Sequence, residues 1–241
     1  GAALRKHFTR SQYGLPQPEP RFAINQVAPD QLSTMLKRTR NIVRFRTVDA
    51  PPQIRIRSNV YAYPQTVIEL QARNAQNLAR AIEEKQDSLR SAIRKREIRE
   101  LQKEMRSIYS QEKQPILENH QVSLKIPRDF DREVAEEDLL VFWKKTRTSD
   151  QGLIIHFRPL EKDIAALGED IVPLRDSLTR IHIPGEKPGS YMMTDTVIKP
   201  QIKPKLIDGA FALEARGLWR TTKVIMGGSF VSYTVYDEKL Y

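Results

Sequence analysis

Residues 74–112 read NAQNLARAIEEKQDSLRSAIRKREIRELQKEMRSIYSQE. Neither glycine nor proline occurs from Gln65 to Gln114, so nothing punctuates a helix here. Leu78, Ile82, Leu89 and Ile93 recur at helical spacing, and Ile98, Leu101, Met105 and Ile108 do so again. The five-residue step from Ile93 to Ile98 moves the apolar stripe to another face. That predicts two helices, or one kinked near Arg94–Arg96. Charges of both signs alternate along the segment, as on a solvated face.

Upstream, Thr66–Ala72 reads as a strand after the bend at Pro64. Gln53–Arg57 alternates Ile54 and Ile56 against Arg55 and Arg57, one face buried and one wet. Asn41–Val48 is a further strand, closed by Pro51-Pro52. Pro29-Asp30 opens a predicted helix through about Arg40, with Leu32, Met35 and Leu36 on one face. Arg21–Val27 alternates like a strand, and the three prolines of GLPQPEP at 14–20 force an extended lead-in. Downstream, Val122–Ile126 resumes strand character, and Leu139–Lys144 with Leu153–Phe157 predict a hairpin around Thr148–Gly152. A helix from about Ile164 to Ile181 should break at Pro173. Strands follow at Ser190–Ile198, Ala210–Thr222 and Phe230–Asp237. Runs of strands broken by single helices predict an α+β fold with largely antiparallel sheets and helices packed on one face. The similar order in the two halves suggests two related α/β sandwiches, although no sequence repeat supports it.

The chain has 241 residues, enough for one large domain or two of roughly 100–150 residues. Its charge is lopsided. Residues 1–120 carry 22 Lys/Arg and 12 Asp/Glu, a net of +10, whereas residues 121–241 carry 18 of each and sum to zero. We therefore expect a basic half at 1–120 that contains the long helical segment, and a strand-rich, charge-neutral half at 121–241. The excess is densest at Lys37, Arg38, Arg40, Arg44, Arg46, Arg55 and Arg57, opposed by Asp49 alone. Such a cluster attracts polyanions: anionic lipid, acidic glycan or nucleic acid. Phe45, Tyr61 and Tyr63 lie nearby as stacking groups. No zinc-finger spacing, RNP box or GxxG loop accompanies the charge, so nucleic acid is the least favoured of the three.

Cysteine is absent, which excludes disulfides, cysteine-ligated metals and thiol catalysis from this stretch of chain. His7, His120, His156 and His182 fit no metal-ligand spacing, and no cofactor motif occurs. His156 reads as a structural imidazole. Gly227-Gly228-Ser229 fails the G-x-S-x-G pattern and reads as a turn or bulge before Phe230. The adjacent acids at Glu136–Asp138, Glu169–Asp170 and Asp237–Glu238 are poorly placed for paired acid–base work. The most informative polar strand is FALEARGLWR at 211–220. Alternation sets Glu214, Arg216 and Arg220 on one face, either as an anion site or as a cross-strand ion-pair ladder. Gly217 marks a bulge or the close approach of another element.

Three segments together resemble domain-of-unknown-function family 4837. They are GLPQPEPRF at 14–22, PGSYMMTDT at 188–196, and FALEARGLWR at 211–220 with MGGSFVSYTVYDE at 226–238. The resemblance runs more loosely over nearly the whole chain. It implies an envelope lipoprotein, lipid-anchored and facing the periplasm or exterior, of which this chain is a form truncated at both ends. It carries no established activity and no catalytic residues. It groups Tyr191, Asp195, Glu214, Arg216, Trp219, Arg220 and Gly227–Gly228 as a shared surface or core junction. Three readings follow: a non-enzymatic binding or scaffolding ectodomain with an envelope protein or anionic surface as partner; a polyanion-binding module using the basic half; and an enzyme with its site on the Glu214/Arg216/Arg220 face. The lack of a catalytic constellation favours the first.

Overall fold

Thr66–Ala72 (TVIELQA) is buried at five of its seven positions and becomes the central strand of a sheet, β3. Its neighbours are β1 (Asn41–Thr47), parallel to it, and β2 (Gln53–Ser58), antiparallel. In this computed structural model, residues 1–112, 114–159 and 167–236 are described. They form two compact units: Gly1–Arg10, Pro20–Glu112 and Lys125–Asp129 in the first, and Ser11–Glu19, Lys113–Leu124 and Phe130–Tyr241 in the second. The chain thus passes between units five times, after residues 10, 19, 112, 124 and 129. The architecture is α+β with mostly antiparallel sheets.

In the first unit, α1 (Ala2–Phe8) and the 31-residue α2 (Ala75–Met105) pack together on one face of the β1–β3–β2 sheet. Ile68, Leu70 and Ala72 of β3 meet Leu78, Ile82, Leu89 and Ile93 of α2 and Leu4 and Phe8 of α1. Leu70→Ala alone would remove a transfer and cavity contribution of about 2–5 kcal/mol. Asn74 caps α2 by accepting the Asn77 N–H at 2.9 Å. No kink occurs at Arg94–Arg96. Backbone helix formation needs no apolar stripe, and Arg, Lys, Glu and Ile hold the helix without Gly or Pro. The face towards the sheet simply turns polar: the Arg96 guanidinium donates to Ser58 Oγ at 2.7 Å and Asn59 Oδ1 at 2.6 Å, and Glu100 is buried beside Lys103. Ile98 and Leu101 are left exposed.

Two expected elements of this unit are absent. Residues 29–40 form two 3-10 turns, Pro29–Gln31 and Leu36–Arg38, instead of a helix. Met35 is 80 % exposed, so no apolar face is buried to reward a helix, and the Gln65 amide takes the Lys37 and Thr39 carbonyls. Residues 21–27 pair with no strand. Phe22 and Ile24 instead both pack on the helical core, and Arg5 donates to the Ile24 carbonyl.

The second unit holds two antiparallel sheets. In the first, β5 (Leu139–Lys145) lies between β4 (Asp131–Ala135) and β6 (Asp150–His156), the expected hairpin with an unforeseen charged strand added. In the second, β9 (Ala210–Thr221) is central. β10 (Gly227–Val235) flanks one side; β7 (Met192–Thr194) and β8 (Gln201–Ile207) share the other. Among the described residues the two units therefore do not repeat one another, and no duplicated sandwich is seen. β8 escaped the sequence reading because QIKPKLI carries a proline, which a sheet edge tolerates. The Ser190–Ile198 strand shrinks to three residues because side chains divert its ends. Ser190 Oγ donates to the Thr222 carbonyl at 2.6 Å, and Asp195 Oδ1 accepts the Val197 N–H at 2.8 Å. Residues 122–126 form no strand, and α3 (Pro115–Asn119) precedes them.

Helix α4 (Leu167–His182) runs unbroken through Pro173; residues 164–166 of the expected helix lie outside the described residues. The interior proline costs about 3 kcal/mol. Anchoring on both sides offsets it: Ile171 is buried, and the buried Thr179 hydroxyl donates to the Met192 carbonyl at 2.9 Å. Arg175, its pKa lowered by burial, donates to Asp176 and Thr194, both at 3.0 Å, and stacks 4.1 Å from the Phe230 ring centroid. The Asp176 carboxylate in turn accepts the Thr194 N–H and hydroxyl, which ties α4 to β7.

Gly217 allows a close approach, without a bulge. A Cβ there would lie 2.8 Å from Phe230 Cε1 and 3.2 Å from Pro200 Cγ, and Gly14, at φ +77°, is seated against its backbone. Gly217→Ala should cost about 1–3 kcal/mol by overpacking, read as a lower denaturant midpoint with an unchanged m-value. Gly227-Gly228-Ser229 is strand, not turn. Gly228 pairs with Trp219, whose indole would crowd an added Cβ at 3.0 Å.

Candidate functional site: an arginine-lined sheet face

Side chains alternate across a sheet, so register decides which of them share a face. Arg44, Glu69 and Arg55 lie in one row across β1, β3 and β2; Arg46, Gln71 and Gln53 form the next; Ile42, Val67 and Arg57 form the one before. Because Ile68, Leu70 and Ala72 point to α2, these rows lie on the opposite face. Four guanidinium groups thus converge on one side of a three-stranded sheet. β1 and β2 flank β3, so the two arginine columns stand about 9–10 Å apart, with about 6.5–7 Å between same-face residues along each strand.

One acid sits among them. Glu69 accepts from Arg44 Nη1 at 3.2 Å and faces Arg57 Nη1 at 3.8 Å. Four arginines less one glutamate leave three positive charges on the face. Arg46 and Arg55 are exposed and form no ion pair among the described residues. Where the face meets the loops before β1 and β3, Arg44 Nη1 also donates to the Tyr61 hydroxyl at 2.7 Å, and Lys37 Nζ lies 5.8 Å from the Tyr61 ring centroid. Gln65, fully buried, holds these two loops. Its Oε1 accepts the Tyr61 N–H at 2.9 Å, while its Nε2 donates to the carbonyls of Lys37 at 2.6 Å and Thr39 at 2.8 Å.

The structure therefore gathers Lys37, Arg44, Arg46, Arg55 and Arg57 and adds Tyr61. Arg40 does not join them: its guanidinium turns to α2, 3.2 Å from Glu97 and 2.8 Å from Glu104. Arg38 is exposed on the adjoining loop. Asp49, the one acid in the basic stretch, pairs with Arg73 at 3.1 Å. Phe45 points to the α2 side by register, and Tyr63 is 73 % exposed. Glu69 and Gln65 were invisible as site residues in the sequence. Only the register with β1 and β2 gives them their neighbours.

In the second constellation one carboxylate is shared by two cations. Glu214 accepts from Arg216 Nε at 2.6 Å and from Lys205 Nζ at 2.7 Å; Lys205 also donates to Tyr233 Oη at 3.3 Å and lies 4.6 Å from that ring centroid. The geometry is an ion-pair ladder. The Arg216 hydrogen bond, against the opposing effect of burial and helped by Lys205 and Tyr233, holds the Glu214 carboxyl down at about 2. A folded pKa below the unfolded value gives stability that is present above about pH 4.5 and is lost as pH falls towards 2. Glu214→Gln should cost about 1.5–3 kcal/mol at neutral pH. In thermal melts the difference from the parent should vanish near pH 2; a constant difference would show that charge is not its basis.

The remaining residues grouped with this strand are not brought to the ladder. Trp219 lies on the other face of β9, against Gly228, and Arg220 is exposed beyond it. The Tyr191 ring carries Arg180 at 4.8 Å, and Asp195 closes its own turn. The histidines are dispersed: His120 stacks on Phe157 at 4.0 Å, His156 lies 3.6 Å from Asp138 with its pKa lowered by burial, and His182 lies 4.0 Å from Glu136. No group of three metal-ligating side chains converges among the described residues. Asp237–Glu238 lies outside them.

A family model described as Domain of unknown function (DUF4837) matches residues 109–240. The chain belongs to the DUF4837 family. A second model, Domain of unknown function (DUF8532), matches residues 1–106. No curated protein and no solved structure matches the chain. The DUF4837 match is narrower than the expected resemblance, since GLPQPEPRF at 14–22 falls within the DUF8532 stretch. The ion-pair ladder lies in the DUF4837 part, and the arginine face lies in the DUF8532 part.

Proposed function

We propose that this protein is a non-enzymatic binding module whose arginine face holds it against an anionic surface. The observation that carries this reading is the convergence of Arg44, Arg46, Arg55 and Arg57 on the sheet face opposite α2, with Glu69 as the one acid between them. A flat array of guanidinium groups suits many phosphates or carboxylates spread in a plane, because each group can grip an oxyanion bidentately. The Glu214 ladder, in which both cations are already engaged by the carboxylate, favours structure over chemistry on that face. In this proposal the protein sits at the cell envelope, held by a lipid anchor and contacting headgroups or an acidic envelope partner, a reading that the resemblance to envelope lipoproteins supports. The test is co-sedimentation with vesicles that contain or lack anionic lipid. Binding should need the anionic lipid and fall steeply between low and physiological salt. Equal binding to neutral vesicles would overturn the proposal.

A further inference from the structure

The four guanidinium groups of the arginine face are not equivalent. Both oxygens of Glu69 are engaged: Oε1 accepts from Arg44 Nη1 at 3.2 Å, and Oε2 lies 3.8 Å from Arg57 Nη1. Arg44 also donates to Tyr61. Arg46 and Arg55 are exposed and have no hydrogen bond or ion pair among the described residues. Register sets them on neighbouring rows, on opposite sides of β3, with Gln71 between Arg46 and Gln53. Gln71 Nε2 donates to Gln53 Oε1 at 2.8 Å, so the Gln53 carbonyl is occupied and its amide nitrogen keeps its donors. Asp49, the nearest acid along the chain, is paired with Arg73 at 3.1 Å.

From the column and row spacings of a sheet, the Cα atoms of Arg46 and Arg55 stand about 11–12 Å apart on the diagonal. Two extended arginine side chains cover that span from either end, so both forks can close on one group held above β3. Each fork offers a pair of parallel N–H groups to an oxyanion, and the Gln53 amide adds a donor beside them. A carboxylate and a phosphodiester each bring a single charge and a pair of free oxygens, and a sulfate ester brings the oxygens without the second charge. A phosphomonoester carries close to two charges at pH 7 and presents three acceptor oxygens. It alone of these matches both the charge and the donors. Building on the surface-binding reading above, we infer that Arg46 and Arg55 form a clasp for the phosphomonoester headgroup of a lipid. Both arginines and Gln53 are exposed, so a free phosphate would be held by them alone. A headgroup is held as well by the attraction of the whole face for the surface around it.

The test compares phosphatidylcholine vesicles that contain phosphatidic acid, a monoester, with others that contain phosphatidylglycerol, a diester, at matched surface potential. At about pH 7.5 the chain should bind the phosphatidic acid vesicles about tenfold more tightly, the factor that one further charge-assisted hydrogen bond supplies. The preference should shrink towards about pH 5, because the headgroup regains its second proton near pH 6 while arginine does not titrate. Arg46→Lys with Arg55→Lys keeps both charges and removes both forks, so this variant should bind the two kinds of vesicle alike. Glycerol 3-phosphate, the same group without a surface, should displace the chain only far above the lipid concentration. Absence of binding to either anionic vesicle overturns the surface-binding reading and the clasp with it. Equal binding of the parent chain to both leaves that reading standing and overturns the clasp alone, as does a preference that survives the double lysine variant. Displacement by glycerol 3-phosphate at the lipid's own concentration would reassign the site to a soluble phosphate ester and overturn the headgroup.

Discussion

Replacing Arg46, Arg55 and Arg57 together by glutamine should reduce affinity for anionic vesicles by about 100-fold. Each basic residue near an anionic membrane surface contributes about 1 kcal/mol, and three sum to about two orders of magnitude. Arg44 is kept because it bonds both Glu69 and Tyr61, so its removal would leave a carboxylate without its closest partner. The salt dependence should flatten along with the affinity, since fewer exposed charges remain to be screened. An equal loss of charge elsewhere is the necessary comparison. Arg80, Lys85 and Arg94 are exposed on α2, which packs on the opposite face of the sheet. Their triple replacement by glutamine changes net charge identically. If both triple variants lose affinity alike, binding follows overall charge and the face has no special role.

The second large effect concerns Gln65. Gln65→Leu keeps the volume but removes three hydrogen bonds and leaves the Tyr61 N–H and the Lys37 and Thr39 carbonyls without that partner. Unsatisfied buried groups cost about 1–3 kcal/mol each. A total near 3 kcal/mol lowers the melting temperature of a chain this size by about 10 °C. The same variant should weaken vesicle binding modestly, because Lys37 and Tyr61 lose their setting at the edge of the arginine face. A drop of less than about 2 °C would mean that the two loops are held by something other than this amide.

Strands β1, β2 and β3 were legible because Ile54/Ile56 against Arg55/Arg57 and the run TVIELQA state their faces plainly. The basic cluster was legible as composition, but its convergence was not. Which arginines share a face depends on pairing between strands separated by the 59–65 loop and by a parallel connection, and local sequence carries no record of either. Arg40 illustrates the limit. It differs from Arg44 in nothing a sequence displays, yet Glu97 and Glu104, far along the chain, claim it. The Glu214 ladder was half legible. Arg216 was visible by alternation, whereas Lys205 lay in a strand hidden by its own proline. The misplaced kink in α2 came from reading an apolar stripe as if it were the helix itself.

The five passages of the chain between its compact units bear on how such a protein can be inherited and cut. The stretch matched by one family contributes residues 11–19 to the other unit, and the stretch matched by the other returns residues 125–129. Neither half is a cassette that recombination could lift out whole. A protease nick between Arg106 and Tyr109 would give fragments that each keep a strip of the neighbour's fold, and each would carry its partner's missing piece away with it.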